Sequence, residues 1–128
     1  RARKDIKSSD RSKKRDTSKG NKPKRRLRYI MNTLINDCSK WSRDRNIIDG
    51  STPKDQFVKL MEEAGELAAS LARGKDVRDD LGDMVVIINN IALQHDTMLE
   101  ECLTIAYDDI KDRKGKLLNG VFVKEADL

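Results

Sequence analysis

Residues 59–92 read KLMEEAGELAASLARGKDVRDDLGDMVVIINNIA, and the periodicity of this stretch decides the fold. Together with Phe57 just upstream, Leu60, Met61, Ala64, Leu67, Ala68 and Leu71 recur at three and four residues, the spacing of one helix face. The predicted helix runs from Pro53 to Arg73. Thr52 serves as its N-cap, Pro53 takes the first helical position, Asp55 favours its positive end and Gly74 stops it. The second half contains MVVII, β-branched enough to suggest a strand in isolation. The longer window decides otherwise, because Val77, Leu81, Met84, Val85, Ile88 and Ala92 keep helical spacing over Val77 to Gln94. Val86 and Ile87 fall off that stripe, so this helix is expected to be buried on more than one side.

Upstream, Leu27, Ile30, Met31, Leu34, Ile35, Cys38 and Trp41 mark another helix, and residues 46–53 (NIIDGSTP) read as a loop. Downstream, Thr97 with Glu100 three residues later suggests a capping box. The helix it opens carries Leu99, Cys102, Leu103, Ala106 and Ile110 on its apolar face. Gly115 and Gly120 then break the chain, and VFVKE closes it as an extended or irregular segment. The fold class is all-α, a four-helix, bundle-like arrangement. One Trp, two Tyr and two Phe make a small aromatic inventory, which suggests that subunits share apolar surface.

Charge is divided unevenly. Residues 1–28 carry 14 Lys and Arg against 3 Asp, whereas the remaining hundred carry 13 basic and 19 acidic side chains. Residues 1–26 are therefore expected to be a basic, disordered extension, and residues 27–128 the folded domain. The extension reads either as a nonspecific nucleic-acid contact or as a solvated tail. It lacks the aromatic residues that stack on bases, which argues against sequence-specific readout. Cys38 and Cys102 form no CxxC pair and read as reduced thiols of a cytoplasmic protein. No secretory signal or bilayer-length apolar run is evident, so no membrane partner is expected.

At 100° per residue, Lys59, Glu63, Glu66 and Ser70 share a narrow arc beside the apolar stripe, with Glu62 just beyond. On the next helix Asp76, Asp80 and Asp83 share one flank. Packed antiparallel, the two helices bring Glu63, Glu66, Asp80 and Asp83 together. Four facing carboxylates repel unless a cation lies among them, and their oxygens suit magnesium or manganese. Such a metal can bridge phosphate oxygens and activate water. An ExxE on an exposed helix is equally at home as a solvated face. Gly65 and Gly82 inside both acidic turns speak for a close helix approach, since each costs a helix roughly 1 kcal/mol relative to Ala. His95, beside Asp96 at a helix end, reads as a capping or surface residue, and the cysteines as core residues.

Residues 59–92 resemble the all-α nucleoside triphosphate pyrophosphohydrolases of the MazG-like group, whose hallmark is ExxE on one helix and ExxD on the next. Glu63 and Glu66 match the first motif, Asp83 matches the last acid of the second, and Lys59, Glu62, Gly65 and Leu67 fit the flanks. AYDDIKDRKGKLLNGVFVKE is similar to the end of phage-type members, and Trp41, Arg45 and Gln56 to their upstream region, so the resemblance covers about residues 28–128. It implies a MazG-type fold completed by oligomerisation as a homodimer or homotetramer, with sites that borrow residues from neighbouring subunits. It also implies Mg2+-dependent hydrolysis of (deoxy)nucleoside triphosphates to monophosphate and pyrophosphate, with Mn2+ as a possible substitute. In this scheme Glu63, Glu66, Asp80 and Asp83 hold the metal, and water attacks the α-phosphorus with Glu62 orienting or deprotonating it. Lys111, Arg113, Lys114 and Lys116 balance the triphosphate or simply stabilise a helix C-terminus. Trp41 and Gln56 contact the base, although Trp41 also suits a plain core role. Asp80 departs from the usual Glu, and Asp108 stands where relatives tend to have Asn. Phosphoribosyl-ATP pyrophosphohydrolase shares the superfamily, but the phage-like C-terminal stretch argues against it. The competing class is a catalytically weak or inactive helical oligomerisation module with a nucleic-acid-associating tail.

Overall fold

The computed structural model describes residues 22–128, which are mostly helical. The chain divides into two units, Arg1–Asn32 and Thr33–Leu128, with the boundary inside the first helix. The elements in order are α1 (Lys22–Asp44), α2 (Ile47–Gly50), α3 (Pro53–Ala72), α4 (Arg78–Gln94), α5 (Leu99–Ile110), β1 (Gly115–Leu118) and β2 (Val121–Lys124), followed by a short 3-10 turn, Glu125–Asp127. Helix α1 begins at Lys22, so the last five residues of the segment expected to be irregular are helical; residues 1–21 lie outside the described residues. No helix among the described residues is long and apolar enough to cross a membrane.

Helix α3 starts and stops as its sequence dictates. Thr52 Oγ1 accepts from the Asp55 N–H at 3.1 Å, and Asp55 Oδ2 accepts from the Thr52 N–H at 2.9 Å, a reciprocal capping box. These bonds hold the Asp55 carboxyl below its ordinary pKa. At the other end Gly74 adopts φ +64°, its N–H donating to the Leu71 carbonyl while Lys75 N–H reaches Ser70 O at 2.9 Å. This Schellman closure satisfies carbonyls that the helix leaves open.

The same closure ends α4 and corrects the expectation for Thr97. Asp96 takes the left-handed position at φ +53°, and Thr97 N–H donates to Ala92 O at 3.1 Å. Thr97 thus finishes α4; Met98 is the N-cap of α5, and the Thr97 hydroxyl donates instead to Glu101 Oε2 at 2.7 Å. The NIIDGSTP segment is likewise not all loop. Ile47–Gly50 forms one helical turn that buries Ile48 and packs on α4. The VFVKE stretch is not irregular either: β1 and β2 pair antiparallel with Leu118 opposite Val121, and the Asn119–Gly120 turn has positive φ at both residues.

Helices α3 and α4 make the most extensive pairing, and α4 also packs on α2 and α5, so it is covered on more than one side as expected. Its buried face, however, is Ile87, Asn89, Asn90 and Ala92, while Leu81, Val85 and Ile88 of the predicted stripe are exposed. Among described apolar side chains only Ile48, Ile87 and Ala92 are buried, with Leu60, Leu67, Met84 and Val86 half-buried around them. Helix α5 buries nothing within the chain; Leu103 and Ile110 are exposed, as is Cys102, which is therefore not a core residue here, and Cys38 is half-buried.

Replacing Thr52 by Ala removes the side chain that anchors the start of α3 and is expected to cost about 1 kcal/mol. A lower urea midpoint with an unchanged slope, restored by Thr52→Ser, is the check.

Candidate metal centre and its cleft

The five-residue connection 73–77 folds α4 back along α3. Glu66 and Asp83 lie at similar distances on either side of it, and antiparallel packing sets them opposite each other. One carboxylate oxygen from each of Glu63, Glu66 and Asp83 lies within 4.8 Å of the others. Glu63 is buried, Asp83 half-buried and Glu66 exposed, so the group runs from the interior to the surface. Lys59, one turn before Glu63, sits 3.3 Å from Glu63 Oε1 and 3.2 Å from Glu62 Oε2. Glu63 Oε2 is shut away from water and receives no hydrogen bond, and Asp80 Oδ2 is in the same condition. Asp80 does not join the three converging oxygens.

The crowding is visible in proton affinities. The Glu66 carboxyl is held above its ordinary pKa by hydrogen bonding to Glu63 and by Glu63's like charge. Burial pushes the Asp83 carboxyl up, and the charges of Asp79, Glu63 and Asp80 push it further against the pull of Lys59. Lys59 moves upward as well, through its bonds to Glu62 and Glu63. A cation would relieve these repulsions, and a donor set made of carboxylate oxygens, two of the neighbouring oxygens lacking partners, fits a hard divalent ion. Glu63, Glu66 and Asp83 would hold it.

Beside the carboxylates opens a cleft of about 340 Å³, whose wall includes Trp41, Ser51, Gln56, Lys59, Ile87 and Asn90 as well as Glu63 and Asp83. Trp41, Asp83 and Val86 also line an adjoining depression of about 390 Å³. Trp41 is exposed rather than a core residue, and Arg45 stacks over its ring at 4.3 Å. The structure therefore gathers Trp41, Gln56, Lys59, Glu63 and Asp83 at one cleft, with Glu66 at the carboxylate cluster and Glu62 on Lys59. It does not gather the basic residues. Lys111 pairs with Asp108 at 3.0 Å, Arg113 pairs with Asp109, and none of Asp108, Lys111, Arg113, Lys114 and Lys116 lines the cleft.

Gly65 and Gly82 do not mediate a close helix approach, because a Cβ at either would meet open space. His95 is the exposed C-cap of α4, in keeping with its sequence reading. The residues that sequence reasoning passed over are Ser51, Asn89 and Asn90. Asn89 donates to Ser39 Oγ at 2.9 Å and Asn90 to Gln56 Oε1 at 3.2 Å. Their signal was present as two amides inside the apolar run MVVIINNIA, where buried polar groups require partners.

Among known proteins the chain is similar to an uncharacterized 18.2 kDa protein from the rep-hol intergenic region of Haemophilus phage HP1. The two are 42% identical over 72 residues, which is 53% of this chain and 44% of the phage protein. The chain spans less than half the length of the curated relative it matches. No family model and no solved structure matches the chain.

The raised carboxyl pKa values of Glu66 and Asp83 set the cluster's contribution to the pH response of the metal-free protein. The folded state holds extra protons in the window between the unfolded values, about 4, and the raised folded ones. The corresponding stability is fully present below that window and is lost as pH rises through it. Asp83→Asn is accordingly expected to raise the melting temperature by a few degrees at neutral pH in the presence of a chelator. Added magnesium is expected to stabilise the wild-type protein and not the variant; thermal melts with and without metal test both halves.

Proposed function

We propose that this chain hydrolyses (deoxy)nucleoside triphosphates to nucleoside monophosphate and pyrophosphate, as a MazG-like, homo-oligomeric enzyme dependent on magnesium, with manganese able to replace it. The observation that carries the reading is the convergence of the Glu63, Glu66 and Asp83 oxygens at the rim of a nucleotide-sized cleft. Its support in the sequence is the paired acidic motif with its flanks. A divalent cation held by these carboxylates supplies positive charge to phosphate oxygens and acidifies water.

The chain's own residues divide the remaining work. Lys59 offers a cation at the cleft wall, where the phosphate chain would lie beside the carboxylates. Glu62 shares Lys59 with Glu63 but stays exposed, and is the carboxylate left to orient or deprotonate the attacking water. Attack at the α-phosphorus breaks its bond to the bridging oxygen, and pyrophosphate departs. Trp41 and Gln56 line the part of the cleft available to the base. Oligomerisation is supported by the large apolar side chains left exposed on α1, α3 and α5, among them Leu34, Phe57, Met61 and Leu103. Among the described residues only Ile48, Ile87 and Ala92 are buried apolar side chains, a thin core for a domain.

Glu66→Gln is expected to reduce pyrophosphate release by about 100-fold or more, at or beyond the loss caused by removing an outer-shell partner of a metal. Asp80→Glu is expected to lower the magnesium concentration needed for half-maximal rate, since the longer side chain can reach the cluster. Pyrophosphate assays over a panel of nucleoside triphosphates with magnesium test both. A folded protein that releases none from any of them overturns the reading.

A further inference from the structure

Three residues of the cleft wall, Asn90, Gln56 and Ser51, form a hydrogen-bonded chain with a direction. Asn90 Nδ2 donates to Gln56 Oε1 at 3.2 Å, Gln56 Nε2 donates to Ser51 Oγ at 3.0 Å, and the Ser51 hydroxyl donates to the Thr52 carbonyl at 3.4 Å. Every donor in the chain points away from Asn90 and the last acceptor is backbone. The chain therefore has one unfilled end, Asn90 Oδ1. That oxygen receives no hydrogen bond although Asn90 is only 3% exposed. An unfilled buried acceptor is costly, and a chain of aligned donors polarises its head and makes it a stronger acceptor.

We infer that Asn90, oriented by Gln56 and Ser51, is the specificity-determining residue of the cleft and takes an exocyclic amino group of a nucleobase. The inference rests on the cleft being a nucleotide site. An amino group donates where an acceptor waits, whereas a ring carbonyl in the same place sets two lone pairs against each other. The cleft consequently favours the amino-bearing bases, cytosine and adenine, over uracil and hypoxanthine. Asn90 belongs to the same wall as Asp83, seven residues earlier on α4, so base and phosphate ends would be held from one helix face.

Matched pairs test this group, since CTP and UTP, or ATP and ITP, exchange an amino group for a carbonyl and differ otherwise only in the proton on the adjacent ring nitrogen. Non-hydrolysable α,β-methylene analogues of all four are titrated into the full chain with magnesium. Binding is followed by the emission of Trp41, the single tryptophan, which lines the cleft. The cytosine and adenine analogues are expected to bind about tenfold or more tightly than their partners, the effect of one hydrogen bond left unmade. Asn90→Leu brings each pair to parity while the phosphate-dependent part of binding persists. Gln56→Leu, which frees the Asn90 amide, weakens the preference and replaces the first variant should that one fail to fold. Parity in the wild-type protein or a preference for the carbonyl bases overturns the assignment and leaves the nucleotide site standing. Absence of binding by all four overturns the site and the assignment together.

Discussion

Three amide side chains on α4 hold the larger unit in register. Asn89 reaches Ser39 on α1, Asn90 reaches Gln56 on α3, and Gln94 donates to Ser51 O at 2.9 Å at the corner between α2 and α3. Ser39 passes the link on to the Ile35 carbonyl at 2.9 Å. An apolar stripe tolerates small rotations and slips, because dispersion contacts have little direction. A buried amide does not, since losing its partner leaves an unpaired polar group. With few apolar side chains buried, directional bonds carry much of what fixes the rotation of α4. That rotation matters at the other end of the helix. Asp83 precedes Asn90 by seven residues, nearly two turns, so the two side chains leave the helix on the same side.

The carboxylate cluster is the expense that this rigidity supports. Glu63 turns its side chain inward and satisfies one oxygen with Lys59, leaving the other without a partner. Glu66 and Asp83 respond by holding protons more tightly than free carboxyls do. Glu63 is buried and Asp83 half-buried, so the three acids do not form a wholly solvated face. The same α3 turn that carries Lys59, Glu62 and Glu63 starts from a well-fixed end, because the Thr52–Asp55 capping box and Pro53 set the first turn. Local order at position 52 thus propagates along a regular helix to Glu63 and Glu66, about two and three turns beyond Gln56.

Much of this was legible from residue spacing. Period and caps located α3 to within a residue, and the i, i+3 acids of two consecutive helices located the cluster, because both signals are local. Asp80 was distinguishable as the short member of its motif, and it is the acid that stays out of the converging group. What escaped was set by tertiary partners. The apolar stripe of α4 pointed to Leu81, Val85 and Ile88, yet the buried face is centred on Ile87 and two asparagines whose partners lie 34 and 50 residues away. Gly65 and Gly82 look like close-packing residues on a helical wheel, but nothing approaches them in the chain. The hairpin was missed for a different reason. Its Asn119–Gly120 turn is a strong local signal, and Gly115 is required because a Cβ there would collide with the Val123 carbonyl and the Phe122 ring. Strands of four residues are simply too short for periodicity to declare them.

Charge balance links the two halves of the proposed site. Lys59 is the one cation among the described cleft-lining residues, and it is already engaged by Glu62 and Glu63. The basic residues after α5 are occupied by Asp108 and Asp109 or lie away from the wall. On the proposed reading a triphosphate approaching the metal-free cleft meets net negative charge, and a metal meets carboxylates whose affinity for protons is raised. On that reading each would improve the site for the other: a cation would offset the acids that repel phosphate, and a phosphate would bring it further oxygens. Linkage makes this reciprocal, so metal affinity must rise with triphosphate by the same factor as triphosphate affinity rises with metal. On the proposed reading the acids do more than bind an ion. They keep the cleft closed to anions until the ion arrives.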